Sequence, residues 1–431
     1  MRDRLGIWWK IRNFVVEMKL NVWISKRLRT RRGARASTRT GVVIAVAGVA
    51  LAVAIMELCV AIATGFKGEI RHKIFGFDAS VAVLPPYDTE TQTTAAEFSP
   101  EPRLWNLVEH TVAPARAVAV QNRQAILKTD SNFVAVQCVG YGSGHDWAFV
   151  REHLVQGSLP GFPAADDSVV ISTAMSRKLQ IGVGDRVMLY FFDDGNIKAR
   201  RRYVAGLYST NFGEYDDAMV YASYSGLSHL RSDTTIISAI NIEGIGEDMI
   251  MPLADTLQSM LIEEYQRGGL STVHPVNTVY QTGMVFFNWL DLLDTNVVVV
   301  FILMLCVAAL TMISSLFIII LDRVSTIGIL RAIGATRHQV SEVFVAVAMR
   351  LVMRGMLIGN CVGIGLILLQ TATHWLPLDP QMYYIAYVPM NFNLWHILAI
   401  NAGFALASWL IVLLPSRLAS RIDPSQTVRY E

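Results

Sequence analysis

Residues 295–321 read TNVVVVFILMLCVAALTMISSLFIIIL, 27 residues with no Asp, Glu, Lys or Arg. A helix that crosses a bilayer needs about 20 predominantly apolar residues, and this stretch has them. Three others do as well. Gly41–Phe66 has 26 residues with one charge, Glu57. Gly355–Thr373 has 19 with none, its apolar pattern beginning near Val343, and Asn393–Leu414 has 22 with none. The composition agrees: the 431-residue chain is 53% hydrophobic and only 17% charged, with a mean hydropathy of +0.39. A soluble average is about 25% charged. Disordered, collagen-like and purely soluble chains are excluded. The first apolar run far exceeds the roughly 7–15 residues of a signal h-region and no convincing A-x-A cleavage site follows, so it reads as a retained anchor.

Charge gives the direction of crossing. Residues 1–40 hold twelve Lys/Arg against two acids, a balance of +10, and residues 67–294 hold seventeen against twenty-seven, a balance of −10. The loop 322–340 has three Arg and one Asp, and the tail from Ser416 three Arg and two acids. Short basic segments stay in the cytoplasm. Both termini are expected inside, with a large domain outside. The expected division is 1–40 cytoplasmic, 41–66 first span, 67–290 external domain, 291–321 second span with an outward stalk, 322–340 cytoplasmic, 341–373 third span, 374–392 external loop, 393–415 fourth span and 416–431 tail. Cys59, Cys306 and Cys361 fall in spans, which leaves Cys138 alone outside, without an intrachain disulfide partner.

Within the external domain, strand-like runs alternate with helical ones. Ser80–Leu84, Ala117–Val120, Phe133–Val139, Ser168–Ile171, Arg186–Phe192, Tyr203–Tyr208, Ala218–Tyr221 and Ile236–Ile242 read as strands. Thr173–Leu179 and Met251–Gln266 read as helices. A mixed α/β domain of one or two subdomains is expected, with Pro85–Pro102 as a polar loop. Residues 7–30 mix Trp8, Trp9, Ile11, Val15, Met18 and Val22 at helical spacing with Lys10, Arg12 and Lys19, the pattern of an interfacial amphipathic helix or of a basic flank that fixes topology. Thr282–Leu321 lacks Pro. It predicts one helix of forty residues, roughly 60 Å, or two helices broken near Asp291–Asp294.

Catalytic signatures are missing. No G-x-x-x-x-G-K-[ST] occurs, so no P-loop binds ATP here. No H-E-x-x-H occurs. Gly140-Tyr-Gly-Ser-Gly144 departs from a nucleophile elbow at Tyr141 and reads as an external loop. Asp193-Asp194 and Asp216-Asp217 read as solvated turns. The informative segment is Asp322–Val340, where Ile327, Ile329, Leu330 and Ile333 are more apolar than a free loop needs. Such residues form a docking surface, or bury themselves against the chain's own helices.

The run Ile327-Gly-Ile-Leu-Arg-Ala-Ile-Gly-Ala-Thr336 closely resembles the coupling segment of the FtsX/MacB/LolC-LolE superfamily of ABC transporter permeases. Thr64-Gly-Phe-Lys67, Lys73-Ile-Phe-Gly-Phe77, Val170–Arg186, Tyr383-Tyr-Ile-Ala-Tyr-Val-Pro389, Pro415–Pro424 and Val428–Glu431 resemble the LolC/LolE branch. The resemblance implies an α-helical membrane protein with four transmembrane helices and a mixed α/β periplasmic ectodomain, the type VII ABC (MacB-like) architecture of the bacterial inner membrane. It implies a non-catalytic permease whose partners are a cytoplasmic ABC ATPase dimer, which carries the ATP and Mg, and a second permease copy or a paralogue. The further expected partners are a lipoprotein cargo, a periplasmic lipoprotein chaperone and membrane lipids, and no nucleic acid. No cofactor is expected in this chain. Mechanotransmission would link ATP-driven closure below to the ectodomains above.

On this reading Ile327, Gly328, Ile329, Leu330, Arg331, Ala332, Ile333 and Gly334 are the segment that docks on the ATPase. By position, the family's chaperone-binding hairpin falls at Phe191–Arg202, with Asp193, Asp194 and Gly195 at the turn and Arg200, Arg201 and Arg202 able to meet acidic groups on a chaperone; the alternative is an ordinary basic hairpin. Ala54, Glu57, Ala61 and Gly65 share one face of the first span with Ala50. The expectation is that Glu57 lines a cargo cavity between the first and second spans, or makes a structural hydrogen bond. Gly355, Gly359 and Gly363 form a GxxxGxxxG packing ridge. Arg350 and Arg354 are expected at the cytoplasmic headgroups or against acids of the ATPase. Two other readings stay open: an FtsX-like scaffold that gates a cell-wall hydrolase, and a MacB-like exporter of peptide or toxin.

Overall fold

A computed structural model describes residues 36–88, 93–94, 97–129, 132–159, 167–193, 196–230, 233–322, 324, 327–329 and 333–419. The amphipathic stretch expected at 7–30 lies outside them. The chain divides into two compact units. One holds residues 1–66, 291–376 and 388–431, the other residues 67–290 and 377–387.

Among the described residues, four helices are long and apolar enough to cross a membrane: Ala36–Phe77, Met284–Asp322, Arg337–Thr373 and Leu394–Ala419. They are called the first to fourth helices below. The first does not stop at Phe66, where its apolar run ends. It continues because Ile70, Ile74 and Phe77 recur at i, i+4 and i+7 and are buried. The second is unbroken at Asp291–Asp294. Its helix begins at Met284, one residue past Gly283, which ends the short turn Val279–Thr282. Val49, Val53, Met56, Ala308, Met312, Val352 and Phe404 form the shared core.

The first helix meets its neighbours on two different stripes. Gly48 would place a Cβ 2.9 Å from Thr311 Oγ1, and Gly41 one 3.4 Å from Ile318, so the second helix packs on that side. Ser315 Oγ of the second helix donates to the Gly41 carbonyl at 3.0 Å. The Gly355, Gly359 and Gly363 ridge of the third helix packs on the other stripe, against Val49, Ala50, Val53, Ala54 and Glu57. The third and fourth helices are joined by a reciprocal amide pair, Asn360 to Asn401, at 2.8 Å in each direction.

In the large unit, ten strands among the described residues form a single sheet: β1 (Val81–Val83), β2 (Arg116–Lys128), β3 (Phe133–Tyr141), β4 (Leu154–Gly157), β5 (Ser168–Ser172), β6 (Arg186–Asp193), β7 (Asn196–Tyr208), β8 (Met219–Ala222), β9 (Ala239–Glu243) and β10 (Val276–Thr278). Their order is β10-β1-β9-β2-β3-β8-β5-β7-β4, and β6 pairs with both β2 and β7. Most pairs are antiparallel, whereas β3–β8 and β5–β7 are parallel. Leu127, Val136, Cys138, Ile171, Leu189, Val204 and Val220 alternate inward and make the core. Leu104, Val108 and Val112 bury one face of helix Pro102–Val112, which packs beside helix Ile250–Gln266, with an Arg103–Glu264 ion pair between them.

Three expectations change. The stretch at Gly140 is an external loop only from Gly142 to Gly144, because Gly140 and Tyr141 belong to β3. A Cβ on Gly140 would come 3.0 Å from Tyr224 Cα, and this close approach explains the glycine. Pro85–Pro102 is not wholly loop, since Tyr87–Asp88 and Thr93–Thr94 pair as a small ribbon. Asp216 is not a solvated turn residue. It is buried and accepts from Thr210 N, Thr210 Oγ1 and Asn211 N at 3.1, 2.7 and 3.0 Å. Its carboxylate thereby holds the 210–212 turn, and burial pushes its pKa up.

Candidate functional site

The segment between the second and third helices has one anchored side and one free side. Ile327 is 1% exposed and packs with Ile319, Ile320, Val340 and Phe344. Gly328 is buried beside it. Ile329 is 60% exposed and Ile333 80% exposed. Ile333 N donates to the Ile329 carbonyl at 3.1 Å, a helical i, i+4 contact that puts both side chains on one face. Gly334 then takes φ +104, and no atom lies within 4 Å of where its Cβ would be. A substitution there acts through backbone conformation rather than through a clash. The third helix restarts at once, capped by a reciprocal pair: Gln339 N donates to Thr336 Oγ1 at 3.3 Å, and Thr336 N to Gln339 Oε1 at 2.9 Å. Leu330, Arg331 and Ala332 lie outside the described residues. Burial against the chain's own helices holds for Ile327, and the docking reading is left to the residues that stay exposed. Ile327 is internal, while Ile329 and Ile333 present about a turn of apolar surface that the described residues leave uncovered.

The hairpin forms as an antiparallel pair, β6 with β7, in register from Arg186 opposite Tyr203 to Asp193 opposite Asn196. Asp194, Gly195 and the Asp193 side chain lie outside the described residues. Arg200 and Arg201 are exposed. Arg202 is not available to a partner. It is buried, ion-paired with Asp167, and donates to the Gly226 carbonyl at 3.1 Å. The residues that sequence reasoning missed are Phe192 and Ile197. They stand directly opposite each other beside the turn and are 56% and 63% exposed. Two large apolar residues flanking an Asp-Gly turn were the available signal.

Glu57 is 1% exposed, yet it does not line a space between the first and second helices. It lies nine residues, two and a half turns, from Gly48, on the opposite side of the helix from the second. Its Oε2 faces Gly363 of the third helix, where a Cβ would collide with it. Its Oε1 accepts a long hydrogen bond, 3.4 Å, from Asn401 of the fourth. Ala54 packs against the same ridge. The Ala61 carbonyl accepts from Asn391 N at 3.0 Å, and a Cβ on Gly65 would come 2.6 Å from the Pro389 carbonyl oxygen. These four residues mark a packing seam, and the small side chains let the backbones approach.

Comparison with known proteins accounts for both units. The FtsX-like permease C-terminal family matches residues 298–424, and the MacB-like periplasmic core domain family matches residues 42–256. The chain is 22% identical to the lipoprotein-releasing system transmembrane protein LolC of Neisseria meningitidis serogroup B, covering 96% of this chain and 99% of that protein. It is 21% identical to the transmembrane protein LolE of Haemophilus influenzae, covering 88% and 92%. The periplasmic region of MacB from Actinobacillus actinomycetemcomitans aligns with 48% of this chain and 92% of its own length, at 12% identity and a TM-score of 0.34.

Proposed function

Because the chain belongs to the LolC/LolE type of the FtsX/MacB permease family, we propose that it drives lipoprotein release from the inner membrane. It is a multi-pass inner-membrane protein with a periplasmic domain, and part of an ABC transporter system. In the proposed cycle a separate cytoplasmic ATPase dimer binds ATP and Mg, since this chain carries no P-loop. A second permease copy or a paralogue completes the membrane assembly. The complex lifts an acylated lipoprotein from the outer leaflet and passes it to a periplasmic chaperone.

The observation that carries this reading is the end-to-end likeness to LolC, which includes both the membrane helices and the large unit. The local geometry supports each handover. Ile329 and Ile333 offer the ATPase an apolar knob on a base fixed by Ile327. Phe192 and Ile197, with Arg200 and Arg201 behind them, offer a chaperone an apolar tip on a basic stem.

The test is release from proteoliposomes that hold the permease assembly, its ATPase and a radiolabelled triacylated lipoprotein, with chaperone outside. Soluble lipoprotein–chaperone complex is expected only with ATP. Ile329→Asp with Ile333→Asp should reduce it by about tenfold or more, because removing an apolar anchor from the centre of a docking site costs at least ~1.4 kcal/mol. Unchanged release by this double variant would remove the docking assignment. ATP hydrolysis without release, whichever permease partner is added, would favour the scaffold or exporter readings.

A further inference from the structure

Two segments set apart in the sequence, Lys73–Phe77 and Tyr383–Pro389, meet in the structure. Lys73 Nζ donates to the Tyr384 carbonyl oxygen at 2.7 Å, across 311 positions of chain. Lys73 is 3% exposed, and Glu69, one turn back, is its ion-pair partner at 3.8 Å. A buried ammonium without such partners is costly, so the contact holds itself closed. Tyr384 sits at φ +61, a left-handed conformation that a bulky residue keeps only where its surroundings impose it. Its ring packs 5.0 Å from Phe212 and 6.2 Å from Phe286. Phe212 in turn stacks on Phe77 at 6.2 Å and on Tyr215 at 5.1 Å. Ile385 is buried next to it.

The chain passes between its two units after residues 66, 290, 376 and 387. The first two crossings are uninterrupted helices, Ala36–Phe77 and Met284–Asp322. The other two are the ends of the loop Pro377–Tyr387, which groups with the large unit although its flanks group with the membrane helices. At their outward ends, the third and fourth helices are joined directly to the large unit only through this loop; the other covalent route runs through the 322–336 segment and the whole length of the second helix. One buried lysine and one strained tyrosine fix its seat.

We propose that the Lys73–Tyr384 contact is a latch that passes movement of the third and fourth helices to the large unit. This rests on the reading of the chain as an ATP-driven permease. Lys73 acts as a positioning residue: it holds the loop against the outward extension of the first helix and touches neither nucleotide nor cargo. Without the latch, the two helices can shift while the loop slips, and hydrolysis is uncoupled from movement above.

The experiment uses the full permease–ATPase complex in proteoliposomes, with native cysteines replaced and an environment-sensitive fluorophore on Arg201→Cys in the hairpin. Two quantities are read, the ATP-driven fluorescence change and the hydrolysis rate. Lys73→Met should hydrolyse ATP within about twofold of the parent while the fluorescence change falls by about tenfold, and Lys73→Arg should restore it. Tyr384→Gly keeps the carbonyl acceptor, relieves the left-handed strain and removes the ring. It should uncouple in the same way, and it decides the matter if Lys73→Met does not fold. A full-sized change in both variants would overturn the latch. So would a parent complex that hydrolyses ATP with no fluorescence change, since there would be no movement to pass on. The readout needs no cargo, so failure of lipoprotein release in the separate assay does not decide it.

Discussion

At the scale of single residues, the buried polar groups of the large unit were the least legible part of the sequence. Asp216, Arg202 and His274 look like ordinary surface residues in a linear reading, because nothing local announces burial. Each is buried by chain that arrives from elsewhere. His274 shows the consequence. Its Nδ1 donates to the Leu84 carbonyl at 3.1 Å, its Nε2 lies 3.4 Å from Thr272 Oγ1, and its ring stands 4.8 Å from Phe98. Burial lowers its pKa below the ordinary 6.5, outweighing the opposing pull of the Leu84 carbonyl and Glu101. The unfolded chain therefore takes up a proton near pH 6.5 that the folded chain refuses. In that range the unfolded state binds more protons, so stability rises with pH and is lost as pH falls through about 6.5 toward the folded-state value. Thermal unfolding of the purified chain between pH 7.5 and 5 should show this slope, and His274→Gln should flatten it. An identical slope in both chains would show that another group is responsible.

At the scale of elements, much more could be read in advance. Period-two alternation located eight of the ten strands, and helices Thr173–Leu179 and Ile250–Gln266 came from apolar spacing. The missed strands, β4 and β10, are short and lie at the two ends of the sheet, where a strand has too few residues to show alternation. The glycine ridge was legible as a motif, but its partner was not, since small residues say that something comes close and not what. The structure supplies the partner and with it a discriminating prediction. A Cβ on Gly359 would lie 2.6 Å from the Ala50 carbonyl oxygen, which is backbone and cannot move aside. Gly365, on the same helix, has nothing within 4 Å. Gly359→Ala must push the first and third helices apart and should cost ~1–3 kcal/mol. Gly365→Ala should be neutral or slightly stabilising, because alanine is the better helix former. Unfolding in mixed micelles with increasing SDS would measure both. Equal effects would mean that helix propensity, and not the seam, sets the response.

At the scale of the whole molecule, direction across the membrane follows from charge, and the position of function follows from direction. The balance of +10 before the first span, and the Arg-bearing 322–340 segment between the second and third, both point to the cytoplasm. Two crossings then put the Ile329/Ile333 knob in the cytoplasm, the side of the proposed ATPase, and one crossing puts the Phe192/Ile197 tip outside, the side of the proposed chaperone. The two exposed apolar pairs are physically alike, each two large side chains lifted off a fixed base. Only topology assigns them to different partners, so reversed topology would exchange their roles. A membrane-impermeant maleimide distinguishes the cases in a chain whose four native cysteines are replaced. Ile333→Cys should label in inverted vesicles and stay unlabelled in spheroplasts, because its side chain is exposed but faces the cytoplasm. Arg201→Cys should do the opposite. Labelling of both positions from the same side would break the four-crossing assignment, and the proposed docking and handover roles would fall with it, since both require the membrane to lie between them.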